Sequence, residues 1–275
     1  MGNRVFLIDI TKCTGCFNCF IACKDEFTDH PWLPYSQPQP ETGPQWIKVD
    51  EVERGQFPRV KLSFIAQPCQ HCGDPRCVKA SRNGAVYKRK DGLVIIDPIK
   101  SKGQRKIVEA CPYGRIFWND EWNIPQKCTG CAHLLDDGWD VPRCVEACPT
   151  EAILFGDRKK FAGLIKKAEQ LHPEYRTNPS VYYIGLPKAF IAGSVYCGES
   201  QECLENARVT LTRKASPKPV TTRTNNYGDF EFEGLKANAT YSIKIEAKGY
   251  FPLSLNDIRL KQSITLANIY LQKRI

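Results

Sequence analysis

Apolar and polar positions divide the chain into two kinds of territory. Over residues 190–275 they alternate: AGSVYC, ARVTLTRK, VTTRTN, GDFEFEGL, TYSIKIEAKGYF and SITLANIYLQ are separated by Gly- and Asn-containing turns. Successive side chains of a strand point to opposite faces, so this pattern predicts six or seven short strands in an all-β sandwich over 189–275. Before residue 189 the pattern is different. SRNGAVYK from Ser81, CPYGRIFW from Cys111 and CPTEAILF from Cys148 each run through a turn into a short apolar strand. This is an internal repeat of one small supersecondary unit. Between the two territories, DRKKFAGLIKKAEQLHPEY (157–175) places Phe161, Leu164, Ile165, Ala168 and Leu171 on one helical face. That spacing predicts a surface helix with Asp157 as N-cap and Pro173 as its stop. TNPSVYYIGLPKAF (177–190) reads as a connector. The Pro-rich stretch HPWLPYSQPQPETGPQW (30–46) predicts an irregular loop, suited to covering a partner. No stretch approaches 18 consecutive apolar residues, so no membrane anchor is expected.

The repeat acquires chemistry from its cysteines. The chain has 14 in 275 residues; 12 lie between Cys13 and Cys148, and only Cys197 and Cys203 follow. The N-terminal stretch MGNRVFLIDITKC lacks the apolar run of a secretory signal, and the spacings are too tight for a disulfide framework. The expectation is a cytoplasmic protein whose thiols bind metal. CTGCFNCFIAC carries Cys13, Cys16, Cys19 and then Cys23, the C-x2-C-x2-C-x3-C run of bacterial ferredoxins. A zinc site would use separated pairs. In such ferredoxins the fourth cysteine ligates the other cluster, so each run of three needs a distant fourth.

The remaining sets supply those partners. Cys69, Cys72 and Cys77 stand in PCQHCGDPRC, Cys111 precedes Pro112, and Cys128, Cys131, Cys144 and Cys148 form the last set. The crossing rule yields three groups: Cys13, Cys16, Cys19 and Cys148; Cys23, Cys128, Cys131 and Cys144; Cys69, Cys72, Cys77 and Cys111. A fourth group would use positions 81, 101, 104 and 107, which hold Ser81, Ser101, Gln104 and Ile107. The losses coincide on one site, as when a whole cluster has been dismantled. The twelve cysteines therefore predict three [4Fe–4S] clusters, with Ile107, Ile99 and Val108 filling the lost volume and the polar replacements hydrogen-bonding locally or meeting water. Formal net charge is +9. Each cluster with its thiolates carries about −2, so three leave the loaded chain near +3. The runs Lys88–Lys90 and Arg158–Lys160 are then solvated faces, and no nucleic-acid footprint is expected.

At this point the residues match a family. CTGCFNCFIACKDE, PCQHCGDPRCVKA, DGLVIIDP, ACPYGRIF, PQKCTGC and CVEACPTEAILFGD resemble the four-motif iron–sulfur subunits of the dimethyl sulfoxide reductase group of molybdopterin enzymes. The resemblance spans residues 3 to about 186. It implies an α+β, double bacterial-ferredoxin-like domain over 1–188, with 157–188 as helix and connector. It also implies a large catalytic partner carrying molybdenum with two molybdopterin guanine dinucleotides, and a heterodimer. By position, the Cys13/16/19/148 cluster would lie nearest that partner, Cys23/128/131/144 next and Cys69/72/77/111 third. The missing site would be the far end of the wire, which is unsuited to feeding a membrane quinone partner. GDFEFEGL and YSIKIEAKGY resemble transthyretin-like or carboxypeptidase-regulatory β domains.

No Ser/His/Asp arrangement, phosphate loop or paired carboxylate is apparent, so no catalytic residue is expected on this chain. A standalone polyferredoxin-like carrier is the alternative reading, and a nucleic-acid-processing iron–sulfur protein is a third. His71 and His133 fall inside cluster motifs but the cysteine set is complete without them, so they read as hydrogen-bond donors to sulfur. Cys197 and Cys203 read as free thiols, and Asn238 as a turn residue.

Overall fold

The computed structural model describes residues 3–274; positions 1–2 and 275, the outer ends of the expected domain spans, lie outside the described residues. The chain divides into two compact units. One runs to Glu51 and from Ser63 to Leu186; the other joins Val52–Leu62 to the stretch from Pro187 onward.

The first unit holds strands β1 (Arg4–Asp9), β2 (Lys48–Gln56), β3 (Arg59–Gln67), β4 (Val86–Lys88), β5 (Val94–Ile96), β6 (Phe117–Asn119), β7 (Ile124–Gln126), β8 (Ile153–Asp157) and β9 (Val181–Ile184). The tip of the β2–β3 hairpin counts with the second unit. Helices are short: α1 (Asn18–Thr28), α2 (Arg76–Ala80), α3 (Lys106–Glu109), α4 (Ala132–Asp136), α5 (Arg143–Glu146) and α6 (Ala162–Ile165). β1 is apolar on both faces, with Val5, Phe6, Leu7 and Ile8 all buried, and accordingly sits in the middle of a three-stranded sheet. It pairs antiparallel with β8 (Ile8↔Ile153) and parallel with β9 (Phe6↔Val181). The three apolar segments of the repeat are β4, β6 and β8, each paired with a neighbour.

Two expectations change here. The predicted helix over 157–171 is reduced to the single turn of α6. Asp157 ends β8 in register with Arg4, and its carboxylate accepts the Lys159 N–H in a turn instead of capping a helix. At the other end Glu169 exchanges both backbone hydrogen bonds with Tyr183 at 2.8 Å, which pulls the chain into an extended path. Pro173 opens a 3-10 turn rather than stopping a helix. Phe161 is still buried, and Ile165 and Ala168 pack with it against Val5, Leu7 and Tyr182; Leu164 is exposed. The supposed connector contains β9, with Tyr182 and Tyr183 buried.

The second unit is two four-stranded sheets over one core. Its strands are β10 (Ala189–Cys197), β11 (Arg208–Arg213), β12 (Ser216–Arg223), β13 (Asp229–Leu235), β14 (Ala239–Glu246), β15 (Leu253–Leu260), β16 (Ile264–Thr265) and β17 (Ile269–Leu271). β13–β10–β16, with β17 also on β10, faces β12–β11–β14–β15. Ile191, Val195, Phe230 and Phe232 come from the first sheet, and Val209, Leu211, Tyr241, Ile243 and Ile245 from the second. β15 is the strand that the alternation did not reveal: Asp257 adopts a left-handed φ of 54° and breaks its period. Lys61 in the hairpin tip pairs with Glu231 and Glu233 of β13, and Arg59 with Asp229. Cys197 is buried and Cys203 exposed; Cys203 stands opposite Tyr196, so the two thiols point to opposite faces.

Candidate metal centres

The first unit brings the twelve expected cysteines together in three groups of four. The strand pairing explains the first. β1 runs into a 3-10 turn (Ile10–Lys12) capped by Asp9, whose carboxylate accepts from the Thr11 N–H at 3.1 Å and hydroxyl at 2.6 Å, and Cys13 follows. Cys148 lies just before β8. The Asp9 N–H donates to Ala152 O at 2.7 Å, so the β1–β8 ladder holds the first motif beside the last. Cys13, Cys16, Cys19 and Cys148 line one cavity, walled by Ile8, Val49, Ala66 and Ile153. Gly15 is required twice over. Its φ is +69°, and a Cβ there would meet the Phe64 ring at 2.5 Å. Burial, helped by the charge of Cys13, pushes the Cys19 thiol up to about 12. Burial also raises Cys148, but the Ile153 N–H, the Thr150 hydroxyl and the Ala152 and Thr150 N–H groups outweigh it and hold that thiol below its ordinary value.

Packing of α1 against α5 makes the second group. Cys23 on α1, Cys144 on α5, and Cys128 and Cys131 before α4 are all buried. Burial raises Cys23 well above its ordinary value, and the charges of Cys128 and Cys131 add to it. Cys144 is raised likewise, by burial and then by Cys131, Cys128 and Cys23. The Gly130 N–H donates to Cys128 Sγ at 3.4 Å. Gly130 has φ +67°, and a Cβ there would crowd Leu93 at 2.9 Å.

The third group, Cys69, Cys72, Cys77 and Cys111, lines a second cavity with Pro75, Val94, Pro112 and Ile116. Here too backbone N–H groups reach sulfur, His71 to Cys69 at 3.5 Å and Arg115 to Cys111 at 3.4 Å. Burial and the Cys69 charge push Cys72 up to about 12, against the Thr177 hydroxyl. Burial pushes Cys77 up to about 11 against the Lys127 ammonium.

The groups form a series. Cys19 of the first adds its charge to Cys23 and Cys144 of the second. Cys128 of the second is pushed up to about 11 by burial and then by the charge of Cys69 in the third. Among the described residues no three His, Cys, Asp or Glu converge on a point that would hold a single ion. The thiols of the first and third groups ring apolar spaces instead, whereas a tetrahedral ion needs sulfurs within about 2.3 Å of one centre. Thiol quartets with N–H donors to sulfur and dry walls are the chemistry an iron–sulfur cubane requires. Buried thiols with raised pKa are costly as bare thiolates, so metal charge would offset what burial opposes.

At the fourth position the structure is packed. Ile107 is wholly buried with Val86, Val94, Ile96 and Ile116, and Val108 packs alongside. Ile99, expected to help, is instead 70% exposed, because the turn after Asp97 directs it outward. Gln104 Oε1 accepts the Arg82 N–H at 2.8 Å and its amide donates to Lys100 O at 2.7 Å; the Ser81 hydroxyl donates to Val78 O at 2.9 Å. Ser101 is buried and its hydroxyl has no partner.

The histidines separate. His71 is buried, with Nε2 3.9 Å from Cys128 Sγ. His133 does not reach sulfur: its Nε2 meets Glu26 Oε1 at 2.9 Å and its ring stacks on Trp32. Sequence reasoning missed Lys127 and Thr177. A charged residue directly before Cys128, in IPQKC, was the available signal for the first. Nothing marked the second.

Comparison with known proteins agrees with this geometry. The family model of a 4Fe-4S dicluster domain matches residues 60–158, and that of a carboxypeptidase regulatory-like domain matches 191–272. The pyrogallol hydroxytransferase small subunit of Pelobacter acidigallici is 38% identical over 260 residues, covering 90% of this chain and 92% of that protein. The iron-sulfur subunit of the arsenate respiratory reductase of Shewanella sp. (strain ANA-3) is 32% identical over 232 residues, covering 65% of this chain and 94% of that one. The chain belongs to the iron–sulfur beta subunits of the dimethyl sulfoxide reductase family. The B subunit of the anaerobic dimethyl sulfoxide reductase of Escherichia coli (strain K12), a third member, is 34% identical over 180 residues, 64% of this chain and 85% of its own length. Beta subunits of this family are iron–sulfur proteins of molybdoenzymes, and their relatives here include reductases and a hydroxytransferase. No helix among the described residues is long and apolar enough to cross a membrane.

Proposed function

We propose that this chain is the electron-transfer small subunit of a molybdenum hydroxytransferase of the pyrogallol–phloroglucinol type. It would hold three [4Fe–4S] clusters on Cys13, Cys16, Cys19 and Cys148; Cys23, Cys128, Cys131 and Cys144; and Cys69, Cys72, Cys77 and Cys111. The observation that carries the reading is the hydroxytransferase match over 90% of the chain, against 64–65% for the two reductase subunits. The packed fourth site supports it, because a subunit serving a reaction without net redox change needs no exit cluster toward a distant acceptor.

Catalysis would reside on the large partner, at molybdenum held by two molybdopterin guanine dinucleotides, where a hydroxyl is moved between polyhydroxylated benzenes. The work of this chain would be to hold the clusters: thiols as ligands, N–H groups of His71, Gly130 and Arg115 on sulfur, and apolar walls that keep water out. The double-ferredoxin layout would span 1–188. The transthyretin-like sandwich, 189–275, would be a docking element, and the complex would work in the cytoplasm.

Purification of the native complex tests this. A heterodimer with molybdenum, about 12 Fe and about 12 acid-labile sulfides, and hydroxyl transfer between pyrogallol-type substrates, is the expected result. About 16 Fe, or stoichiometric zinc, would falsify the three-cluster reading. A chain that purifies alone with its full iron would favour the standalone carrier.

A further inference from the structure

Lys127 lies between two of the cysteine groups and is 2% exposed. Its ammonium donates to Val94 O and, at 2.9 Å, to Cys128 O. From there its charge acts on Cys77 and Cys111 of the third group and on Cys128 of the second. Val94 has a second role. Its N–H donates to His71 Nδ1 at 3.0 Å, which leaves the ring proton on Nε2, the nitrogen 3.9 Å from Cys128 Sγ. His71 therefore lies within the third group but faces a sulfur of the second. Lys127 adjoins the second group but bears on thiols of the third. Each group lends the other a polar side chain.

We propose that Lys127 and His71 form an electrostatic link between these two sites, with the Lys127 ammonium raising the reduction potentials of the clusters at both and His71 Nε2–H donating to the Cys128 sulfur. Reduction adds negative charge to a group that is already anionic. A fixed cation in a poorly solvated interior favours that step far more than one at the surface. A hydrogen bond to a ligating sulfur acts in the same direction on its own cluster. Val94 and its strand hold both groups in place. The inference rests on the three-cluster reading above. Both residues are positioning residues, since neither is a ligand.

Redox titration of the intact holo complex, followed by electron paramagnetic resonance, is the test. Lys127→Gln keeps an N–H donor and removes the charge. Two of three midpoints should fall, while that of the Cys13/16/19/148 cluster stays. Lys127→Arg should hold wild-type values. Lys88→Gln, which removes an exposed cation that donates to Cys72 O at 3.1 Å, should shift them less than Lys127→Gln. His71→Phe should lower only the cluster that includes Cys128. Unmoved midpoints in Lys127→Gln at wild-type iron content would overturn the proposal, as would an equal fall in Lys127→Arg. Should Lys127→Gln lose iron, His71→Phe decides: a lowered Cys128 cluster supports the link, and an unmoved one overturns it. Iron analysis of the wild type separates these outcomes from failure of the three-cluster reading itself.

Discussion

The Cys69/72/77/111 site and the Ser81/Ser101/Gln104/Ile107 site are two answers to one scaffold. Both are built on α2, α3 and the strands that follow them. In the first, four thiols ring a cavity with apolar walls, and backbone N–H groups point at sulfur. In the second, an isoleucine side chain occupies the middle, and Ser81 and Gln104 bond to nearby backbone. The same chain path thus supports either filling. What differs is how each half answers the demand for dense packing: one leaves a cavity ringed by thiols, the other is filled by hydrocarbon.

The sharpest break tests the proposed crossing of ligands between motifs. Cys23→Ser should remove the cluster of Cys128, Cys131 and Cys144, with iron falling by about four per chain and the Cys13/16/19/148 signal retained. The charges of Cys128 and Cys131 act on Cys23 more strongly than that of Cys19, although Cys19 is its neighbour in sequence. Loss of only the Cys13/16/19 signal would mean that the pairing is wrong.

A thiol-ringed cavity and a hydrocarbon-filled one also answer pH differently. Free thiols titrate near 9.0, but burial pushes Cys77 and Cys128 up to about 11 and Cys19 and Cys72 up to about 12. Groups whose folded pKa is raised contribute stability that is whole below the unfolded value and lost as pH rises through the folded one. The iron-free chain should therefore lose stability from about pH 9 upward. The loaded chain should not follow, because ligand thiols are already deprotonated on the metal. Denaturant midpoints of both forms between pH 8 and 11 check this; parallel curves would remove the thiols as the cause. The packed quarter offers no thiol to titrate.

What could be read from residues alone, and what could not, follows the same division. Cysteine spacing is geometry written in sequence, so which thiols lie beside one another could be read before any fold. β10–β14 were visible because alternation survives wherever one face is buried. The 157–171 segment misled because its apolar spacing suits a helix, whereas its path is set by pairing of Asp157 with Arg4 and Glu169 with Tyr183, the first partner more than a hundred residues away and the second fourteen. Ile99 misled for a related reason: proximity in sequence to Ile107 says nothing of which way a turn points it. Lys127 and Thr177 act through space on thiols of other segments, and no local pattern encodes that.

Ile107→Ala tests the hydrocarbon side of the comparison. The side chain is fully buried among four other buried aliphatic residues, so truncation should cost about 2–5 kcal/mol through lost transfer energy and a residual cavity. Equilibrium unfolding of the variant measures it. Iron content should stay at the wild-type value, since Ile107 ligates nothing; a cost under about 0.5 kcal/mol would mean that the site is loosely filled.

The smallest expected effect is the most informative about whether the fourth position could hold a cluster. Replacing Ser81, Ser101, Gln104 and Ile107 together by cysteine supplies four thiols there in one step. It does not supply the space. Ile107 packs against Val86, Ile96 and Ile116, and Gln104 ties the Arg82 N–H to the Lys100 carbonyl, so the two loops are drawn together over the site. Cysteine in place of Ile107 frees only a few methyl groups of volume, far less than a cubane with its sulfurs occupies. Loss of the Gln104 bonds leaves the Arg82 N–H free without moving Ile96 or Ile116. The quadruple variant should therefore carry the same iron as wild type and show no new reducible signal. A gain of about four iron per chain with a fourth paramagnetic centre would show the opposite: that the loops reopen at little cost, and that the ligands alone separate the filled quarter from the empty one.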